Sequence, residues 1–220
     1  MHKPIAVKYW LLEIIFYAAA LALLPEGAAA AQNETFSQQA LSPKIIQKIE
    51  NNSWKVPSPI KLKDLAYLKI TYFDFDGKSH TGEMIVHQKV AKEVLEIFQE
   101  LYRAKFPIEK MKLIDDYGAD DNLSMAANNS SALCVRPLTG EKHGFSRHSY
   151  GLAIDINPLQ NPYVKGKTVS PAAGKDYLDR TKPRRGMIVK GDVCYNAFIS
   201  RGWQWGGDWK SLKDYQHFEK

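Results

Sequence analysis

The stretch Ser146-Arg-His-Ser-Tyr-Gly-Leu-Ala-Ile-Asp-Ile-Asn157 joins polar side chains to the clearest strand signal in the chain. Between residues 152 and 157 apolar side chains alternate with polar or small ones, which is typical of a strand with one buried face. On one straight strand, His148 and Asp155 would face opposite sides, but Gly151 lets the backbone turn between them. We therefore expect His148 and Asp155 to converge on one point.

Outside this stretch, strand and helix signals are mixed without a regular alternation. β-Branched and aromatic runs around a turn dipeptide predict a hairpin, and apolar residues at helical spacing predict helices. The predicted elements are a hairpin over 69–75 and 82–86, a strand over 112–114, a polar loop over 115–131, and helices over 89–104 and 193–201. The fold class that fits is α+β, a small antiparallel sheet with flanking helices.

Length and composition indicate one globular domain with a tail. The chain has 220 residues, of which 45% are apolar and 25% are charged, and these values exclude a collagen-like or wholly disordered protein. Cys134 and Cys194 are the only cysteines and no CxxC pair occurs, which excludes a disulfide scaffold and a Cys-based zinc finger. In an oxidising compartment these two residues could pair, and the sequence leaves that open.

The positive charge of the chain belongs to one segment. Residues 158–190 carry eight basic and two acidic residues, a balance of +6 that equals the net charge of the whole chain. This segment is either a solvated insert or a surface that attracts an anionic polymer or covers a cleft. The neutral remainder shows no nucleic-acid recognition motif, so we expect no nucleic-acid partner.

Residues 1–31 have the organisation of a secretory signal. Two lysines precede a mostly apolar run over 9–24, and the small residues at 29–31 fit cleavage before Gln32. Glu13 interrupts the apolar run, so an uncleaved anchor or a buried helix remains an alternative. A signal or an anchor would place the rest of the chain outside the cytoplasm, in the periplasm or cell envelope.

Two further polar residues near the C-terminus complete a candidate metal centre. Asp214 and His217 are three residues apart, and on a helical turn their side chains would be neighbours. Together with His148 and Asp155, His217 would supply two imidazoles and one carboxylate and leave a fourth position open. That is the arrangement of a catalytic zinc site. In the alternative, Asp155 caps a turn, His148 is exposed, and Asp214 and His217 form a pair on the surface.

The pattern Ser-x-His-x-x-Gly-x-Ala-x-Asp, followed late in the chain by acid-x-x-His, resembles the zinc-dependent D-alanyl-D-alanine carboxypeptidase family. This family includes the vancomycin-resistance-type D,D-carboxypeptidases and the phage and sporulation L-alanyl-D-glutamate endopeptidases. The stretches 124–136, 155–163 and 202–209 are also similar, and they occur in the same order. The resemblance extends from about residue 65 to the C-terminus, which suggests an extension over 32–64 and a catalytic domain over 65–220.

The resemblance implies a role for six residues of this chain. His148, Asp155 and His217 would be the Zn²⁺ ligands, Asp214 the catalytic acid and base, Arg136 the catalytic and substrate-binding residue that holds the carbonyl, and Ser146 a supporting or substrate-binding residue. One departure concerns Asp214, because the carboxypeptidase branch usually has Glu there and the endopeptidase branch tends to have Asp. The bond that is cut therefore stays open between the two branches.

The expected partners follow from the same resemblance. They are peptidoglycan stem peptides, with contact to a membrane only if the N-terminal segment stays uncleaved, and the protein is expected to be a monomer. A competing interpretation is a non-catalytic module that binds the wall through the basic segment. We also expect Trp203, Trp205 and Trp209 to lie in the core, and Asp208 to orient one of the histidines.

Overall fold

The computed structural model describes Met1 and residues 34–137 and 144–220. The predicted signal or anchor segment therefore lies outside the described residues. In the part that is described, no helix has the length and apolar character needed to cross a membrane. Asn33–Lys220 form one compact unit.

The described chain contains short strands and few helices. The strands are β1 (Phe36–Gln39), β2 (Leu65–Phe73), β3 (Ser79–His87), β4 (Lys110–Met111), β5 (Asn129–Ser130), β6 (Ala153–Asp155), β7 (Tyr163–Lys165), β8 (Thr168–Ser170), β9 (Gln204–Trp205), β10 (Lys213–Asp214) and β11 (His217–Glu219). The α-helices are α1 (Pro43–Ile49), α2 (Gln88–Arg103), α3 (Asp121–Ala126) and α4 (Val193–Ile199). Short 3-10 helices lie at Leu62–Asp64, Ile114–Tyr117, Arg147–Tyr150, Ala172–Tyr177 and Gly206–Asp208.

Three small antiparallel sheets organise these strands, which confirms the predicted α+β class. The first sheet has the order β1-β2-β3. The second, which we call the histidine sheet, has the order β6-β11-β9, and the third, the hairpin sheet, has the order β10-β7-β8. A separate parallel pair joins β4 to β5.

The main core forms where α2 packs on β2 and against α4. The apolar face predicted for this helix is buried, and its residues Val94, Ile97 and Phe98 are at most 1% exposed. The His87 imidazole caps the helix, since Nδ1 accepts a hydrogen bond from the Lys89 amide at 3.1 Å. Burying one such large side chain contributes about 1.5–3 kcal/mol to folding.

The described part of the predicted N-terminal extension packs against this domain. β1 pairs with β2 in antiparallel register, from Phe36 opposite Ile70 to Gln39 opposite Tyr67. Ile49 of α1 is fully buried in a second apolar cluster with Leu65. β1 therefore forms one edge of the first sheet, and α1 covers one of its sides. The domain boundary at residue 65 stays a prediction.

Four local expectations are wrong. No strand forms over 112–114, because β4 ends at Met111 and a 3-10 helix begins at Ile114. Residues 115–131 were expected to form a loop, but Asp120 caps α3 through hydrogen bonds to two backbone amides and β5 follows. β6 is shorter than the predicted strand, and it is buried on both faces because the core covers one and the cleft residues cover the other. Asp214 and His217 lie on two strands rather than on one helical turn.

The basic segment 158–190 is folded onto the domain. The Arg180 guanidinium donates hydrogen bonds to the backbone oxygen of Gln160 at 2.7 Å and to Asn161 Oδ1 at 2.8 Å. Its carbon lies 4.5 Å from the centre of the Tyr215 ring, a cation–π contact. The segment is therefore not a purely solvated insert.

The two cysteines do not pair. Cys134 and Cys194 are both buried free thiols, so the disulfide that the sequence left open is not formed.

Candidate metal centre and active-site cleft

The three predicted ligand residues meet at one buried point. His148 lies in a 3-10 helix, Asp155 ends β6, and His217 begins β11 directly opposite Asp155 in the antiparallel register. His148 Nε2 lies 3.1 Å from His217 Nδ1 and 3.1 Å from Asp155 Oδ2, and His217 Nδ1 lies 3.0 Å from Asp155 Oδ1. The strand pairing therefore places a carboxylate beside an imidazole from a distant part of the chain.

Local backbone features position His148. The Ser146 hydroxyl accepts a hydrogen bond from the His148 amide at 3.3 Å and so caps the 3-10 helix. Gly151 ends that helix with φ +64°, and a Cβ at this position would come within 2.6 Å of the His87 amide nitrogen. Only glycine accepts both the left-handed backbone and the close approach. The predicted turn at Gly151 is confirmed.

The hydrogen bonds of the two imidazoles determine which nitrogen atoms carry protons. His148 Nδ1 lies 2.6 Å from the backbone oxygen of Ala132, and His217 Nε2 lies 3.1 Å from Glu219 Oε2. Carbonyl and carboxylate oxygens can only accept, so these outer nitrogens donate. Whenever the rings are neutral, their inner nitrogens keep lone pairs that face each other and the Asp155 carboxylate.

This donor set fits a bound cation. Three electron-rich atoms at about 3 Å repel one another unless a positive charge lies between them. In a tetrahedral site with bonds of about 2.0–2.1 Å, neighbouring ligand atoms are about 3.3 Å apart, close to the spacing found here. Two imidazole nitrogens and one carboxylate oxygen are also the ligands that Zn²⁺ accepts, and the ligand atoms lie within 4.8 Å of one another.

The pKa shifts of the residues at this point agree with a bound cation. Burial lowers the pKa of His217, but hydrogen bonds to Asp155 and Glu219 outweigh it and raise that pKa to about 10. Burial raises the pKa of Asp155, yet the charges and hydrogen bonds of the two histidines hold it well below its usual range. A positive charge is thus strongly favoured at this point, as a proton or as a metal ion.

Asp214 lies beside the three residues but belongs to the hairpin sheet. Its Oδ1 accepts a hydrogen bond from Gln216 Nε2 at 3.2 Å. Removal from water is the main reason that its pKa is raised to about 6, and the negative charge of Asp155 adds to this against the opposing effect of His217. A carboxyl group with such a pKa can exchange protons near neutral pH.

Gly206 allows β10 to approach the site. A Cβ at Gly206 would lie 2.5 Å from the backbone oxygen of Asp214, so a larger residue would displace the strand. The Trp205 indole donates a hydrogen bond to the Tyr215 backbone oxygen at 2.9 Å and holds the short connection between β10 and β11. Close packing around this connection therefore brings Asp214 to the site.

Arg136 lies in the same region as these residues. Its Nη2 lies 3.1 Å from Asp121 Oδ2, an ion pair to the first turn of α3. The buried Ser149 hydroxyl accepts a hydrogen bond from the Arg136 amide and donates one to the Arg136 carbonyl oxygen, both at 2.9 Å. The backbone and the guanidinium of Arg136 are therefore both held in place.

A cleft of about 450 Å³ joins all of these groups. It is lined by every residue that the sequence nominated for the site: Arg136, Ser146, His148, Asp155, Asp214 and His217. The structure thus brings together residues from three separate stretches of the chain. Their chemical roles remain predictions.

The cleft also contains residues that the sequence interpretation missed. Asp121 and Glu219 had no recognisable signal, since each depends on a partner that is distant or on another strand. The proposal that Asp208 orients a histidine is wrong, because Asp208 is exposed, 3.7 Å from Lys190 and 3.5 Å from the Tyr195 hydroxyl. Glu219 and the Ala132 carbonyl fill that role.

The three tryptophans near the C-terminus divide between core and cleft. Trp203 and Trp205 are buried in the core as expected. Trp209 instead lines the cleft, with its ring centre 5.3 Å from that of His217.

A comparison with protein families bears on this geometry. The model of the D-alanyl-D-alanine carboxypeptidase family matches residues 139–220. The match confirms the resemblance over these residues. It includes His148, Asp155, Asp214 and His217 but begins after Arg136, and it supports a peptidase activity. No solved structure matches the chain.

Proposed function

We propose that the protein is an exported, zinc-dependent peptidase that hydrolyses peptide bonds in peptidoglycan stem peptides in the manner of a D-Ala-D-Ala carboxypeptidase. One observation carries this proposal. The inward-facing lone-pair atoms of His148, Asp155 and His217 share a cleft with the Asp214 carboxyl group. The family match over residues 139–220 supports the peptidase class.

In this proposal His148, Asp155 and His217 hold Zn²⁺, and the cleft gives access to the fourth position. A zinc ion bound there would polarise the substrate carbonyl and lower the pKa of a water molecule towards about 7. The chain provides three ligands and leaves room for substrate, as catalytic zinc sites do and structural ones do not.

Asp214 and Arg136 would act directly on the substrate. The Asp214 carboxylate accepts a proton from the attacking water and then donates it to the leaving amine, for which a pKa of about 6 is well suited. The Arg136 guanidinium donates hydrogen bonds to the scissile carbonyl oxygen as negative charge develops there. Ser146 supports this arrangement by capping the helix that carries His148.

A second candidate concerns the bond that is cut. The carboxypeptidase branch usually has Glu at the position of Asp214 and the endopeptidase branch tends to have Asp, so the resemblance at this position is to an L-Ala-D-Glu endopeptidase. Because either carboxylate can transfer a proton, the chemistry is common to both. The difference lies in which part of the stem peptide occupies the cleft.

The cellular setting is part of the proposal. A cleaved signal over residues 1–31 would release the enzyme to the periplasm or cell envelope, and an uncleaved segment would tether it to the membrane. We propose a monomer that acts on wall peptides and does not bind nucleic acid.

The test uses the compact unit as purified residues 32–220. The protein is incubated with defined muropeptides, with added Zn²⁺ or with a chelator, and the products are identified by mass spectrometry. Zinc-dependent loss of a terminal alanine would establish the carboxypeptidase, and release of an L-alanine-ended muramyl fragment would establish the endopeptidase. An Asp214→Asn variant, which preserves size and folding, controls for a contaminating peptidase.

Two outcomes would contradict the proposal. Intact peptides with metal bound would mean a different substrate. Intact peptides with no metal bound would favour the non-catalytic wall-binding module.

A further inference from the structure

One strand pair of the basic segment forms a wall of the cleft. β7 pairs with β10, with Tyr163 opposite Asp214, and β8 pairs with β7, with Ser170 opposite Tyr163 and Thr168 opposite Lys165. The hairpin is therefore hydrogen-bonded directly to the strand that carries Asp214.

A tight turn determines the register of this hairpin. Gly166 and Lys167 form a two-residue loop, and Gly166 has φ +58°, which hairpin turns of this length require at the first position. In such a pair, residues directly opposite each other project from the same face, and so do residues two apart along a strand. Slippage by one residue would turn every side chain to the other face.

The register places Lys165 on the same face as three residues that line the cleft, and Lys165 itself lies just outside that lining. Tyr163, Thr168 and Ser170 all line the cleft. Lys165 is two residues from Tyr163 on the same strand and directly opposite Thr168, so it shares their face at the outer end of the hairpin. Two residues along a strand span about 6.6–6.8 Å, and this is the distance along β7 from the Tyr163–Asp214 pair to Lys165.

Lys165 is one of four cations in the segment without a described side-chain contact, the others being Lys167, Lys175 and Lys182, and it is the one that lies on a strand of the hairpin. Among the eight basic residues of 158–190, four have described contacts: Arg180, Arg184, Arg185 and Lys190. The Lys165 amine makes no hydrogen bond or ion pair with any residue that the structure describes, and the residue is exposed. A lysine held by a short hairpin beside a cleft is available to an anionic ligand.

We propose that Lys165 binds a carboxylate of the substrate, one or two residues from the bond that is cut, and so gives the enzyme a preference for acidic stem peptides. This inference rests on the proposed function and names a specificity determinant for it. Because Lys165 is solvent-exposed, the expected preference is modest, about 2- to 5-fold. It should weaken as ionic strength rises.

The test compares two synthetic stem peptides that differ in one group. One has the free α-carboxylate of a γ-linked D-glutamate, and the other has the carboxamide. The ratio of their kcat/KM values is measured for the zinc-loaded wild type and for Lys165→Ala, Lys165→Glu and Lys175→Ala. Lys175 is an exposed lysine of the same segment outside the hairpin, so Lys175→Ala removes the same charge without touching the wall.

The wild type and Lys175→Ala should prefer the carboxylate peptide, Lys165→Ala should lose the preference, and Lys165→Glu should reverse it. An unchanged ratio in Lys165→Ala would overturn the proposal. An equal loss of the preference in Lys175→Ala would also overturn it. The preference would then come from the overall positive charge of the segment and not from the position of Lys165.

A binding measurement separates this proposal from the proposed function. Dissociation constants of both peptides are measured by calorimetry on the Asp214→Asn protein, with and without Lys165→Ala. If the wild type cleaves neither peptide but binding shows the Lys165-dependent preference, recognition stands and the proposed catalysis fails. If neither peptide binds, both fail.

Discussion

The histidine sheet and the hairpin sheet meet at the cleft but contribute different chemistry. The histidine sheet carries Asp155 and His217, which are 4% and 6% exposed and bonded to other protein groups. The hairpin sheet carries Asp214 and a wall of half-buried or exposed side chains that ends in Lys165. Only two residues, 215 and 216, separate β10 from β11. In the proposed mechanism, the histidine sheet supplies two of the three zinc ligands, and the hairpin sheet handles protons and recognises the substrate.

The largest expected effect comes from the histidine sheet. His217→Ala removes one of three ligands and leaves Asp155 beside a single imidazole, so the purified protein should lose stoichiometric zinc and all measurable turnover. Metal content by elemental mass spectrometry and activity on a muropeptide check this. Stoichiometric zinc in a folded His217→Ala protein would contradict the assignment of roles to the two sheets.

Asp214→Asn should distinguish the roles of the two sheets most clearly. The amide cannot accept the proton, so turnover should fall on the order of 10²–10⁴-fold while the zinc content stays at the wild-type level. Activity and metal content are measured on the same preparation. Equal metal loss in Asp214→Asn and His217→Ala would show that Asp214 is a ligand and that the division between the sheets is wrong.

Arg136 belongs to neither sheet and tests whether a third element is needed. Arg136→Lys keeps the charge but loses the planar fork that the Asp121 pair orients, so kcat should fall on the order of 10²–10³-fold. Steady-state kinetics with zinc affinity as the control would check this. A change in KM alone would assign Arg136 to binding rather than to the developing charge.

Glu219 should show the smallest effect of this series. Glu219→Gln weakens the acceptor that orients His217 Nε2, so zinc affinity should fall about 10- to 100-fold. Competition with a chromophoric chelator measures the affinity, and ¹⁵N NMR of the imidazole reports the tautomer of His217.

Asp208→Asn is the matched control for Glu219→Gln. Asp208 is an exposed carboxylate of the same C-terminal region that does not contact the histidines, so the affinity should not change. If Asp208→Asn lowered the zinc affinity as much as Glu219→Gln, the general negative charge of the region would support the site, rather than the contact of Glu219 with His217 Nε2.

Features that depend on neighbouring residues were predictable. The amphipathic helix α2, the hairpin of β2 and β3, and the helix α4 are all found, because each depends on residues that are a few positions apart. The loop predicted over 115–131 failed because its polar residues make local caps and turns that hold α3. The helical turn expected at 214–217 failed because each residue pairs with a different strand.

The sequence by itself determined the α+β class and nominated six of the residues that line the cleft. It could do so because periodicity is local and because the order of motifs resembles a known family. Only the tertiary structure decided that His217 faces Asp155, that Glu219 and Ala132 orient the imidazoles, and that the basic segment supplies a cleft wall. Those relations depend on strand register and on contacts between residues far apart in the chain, which no local pattern records.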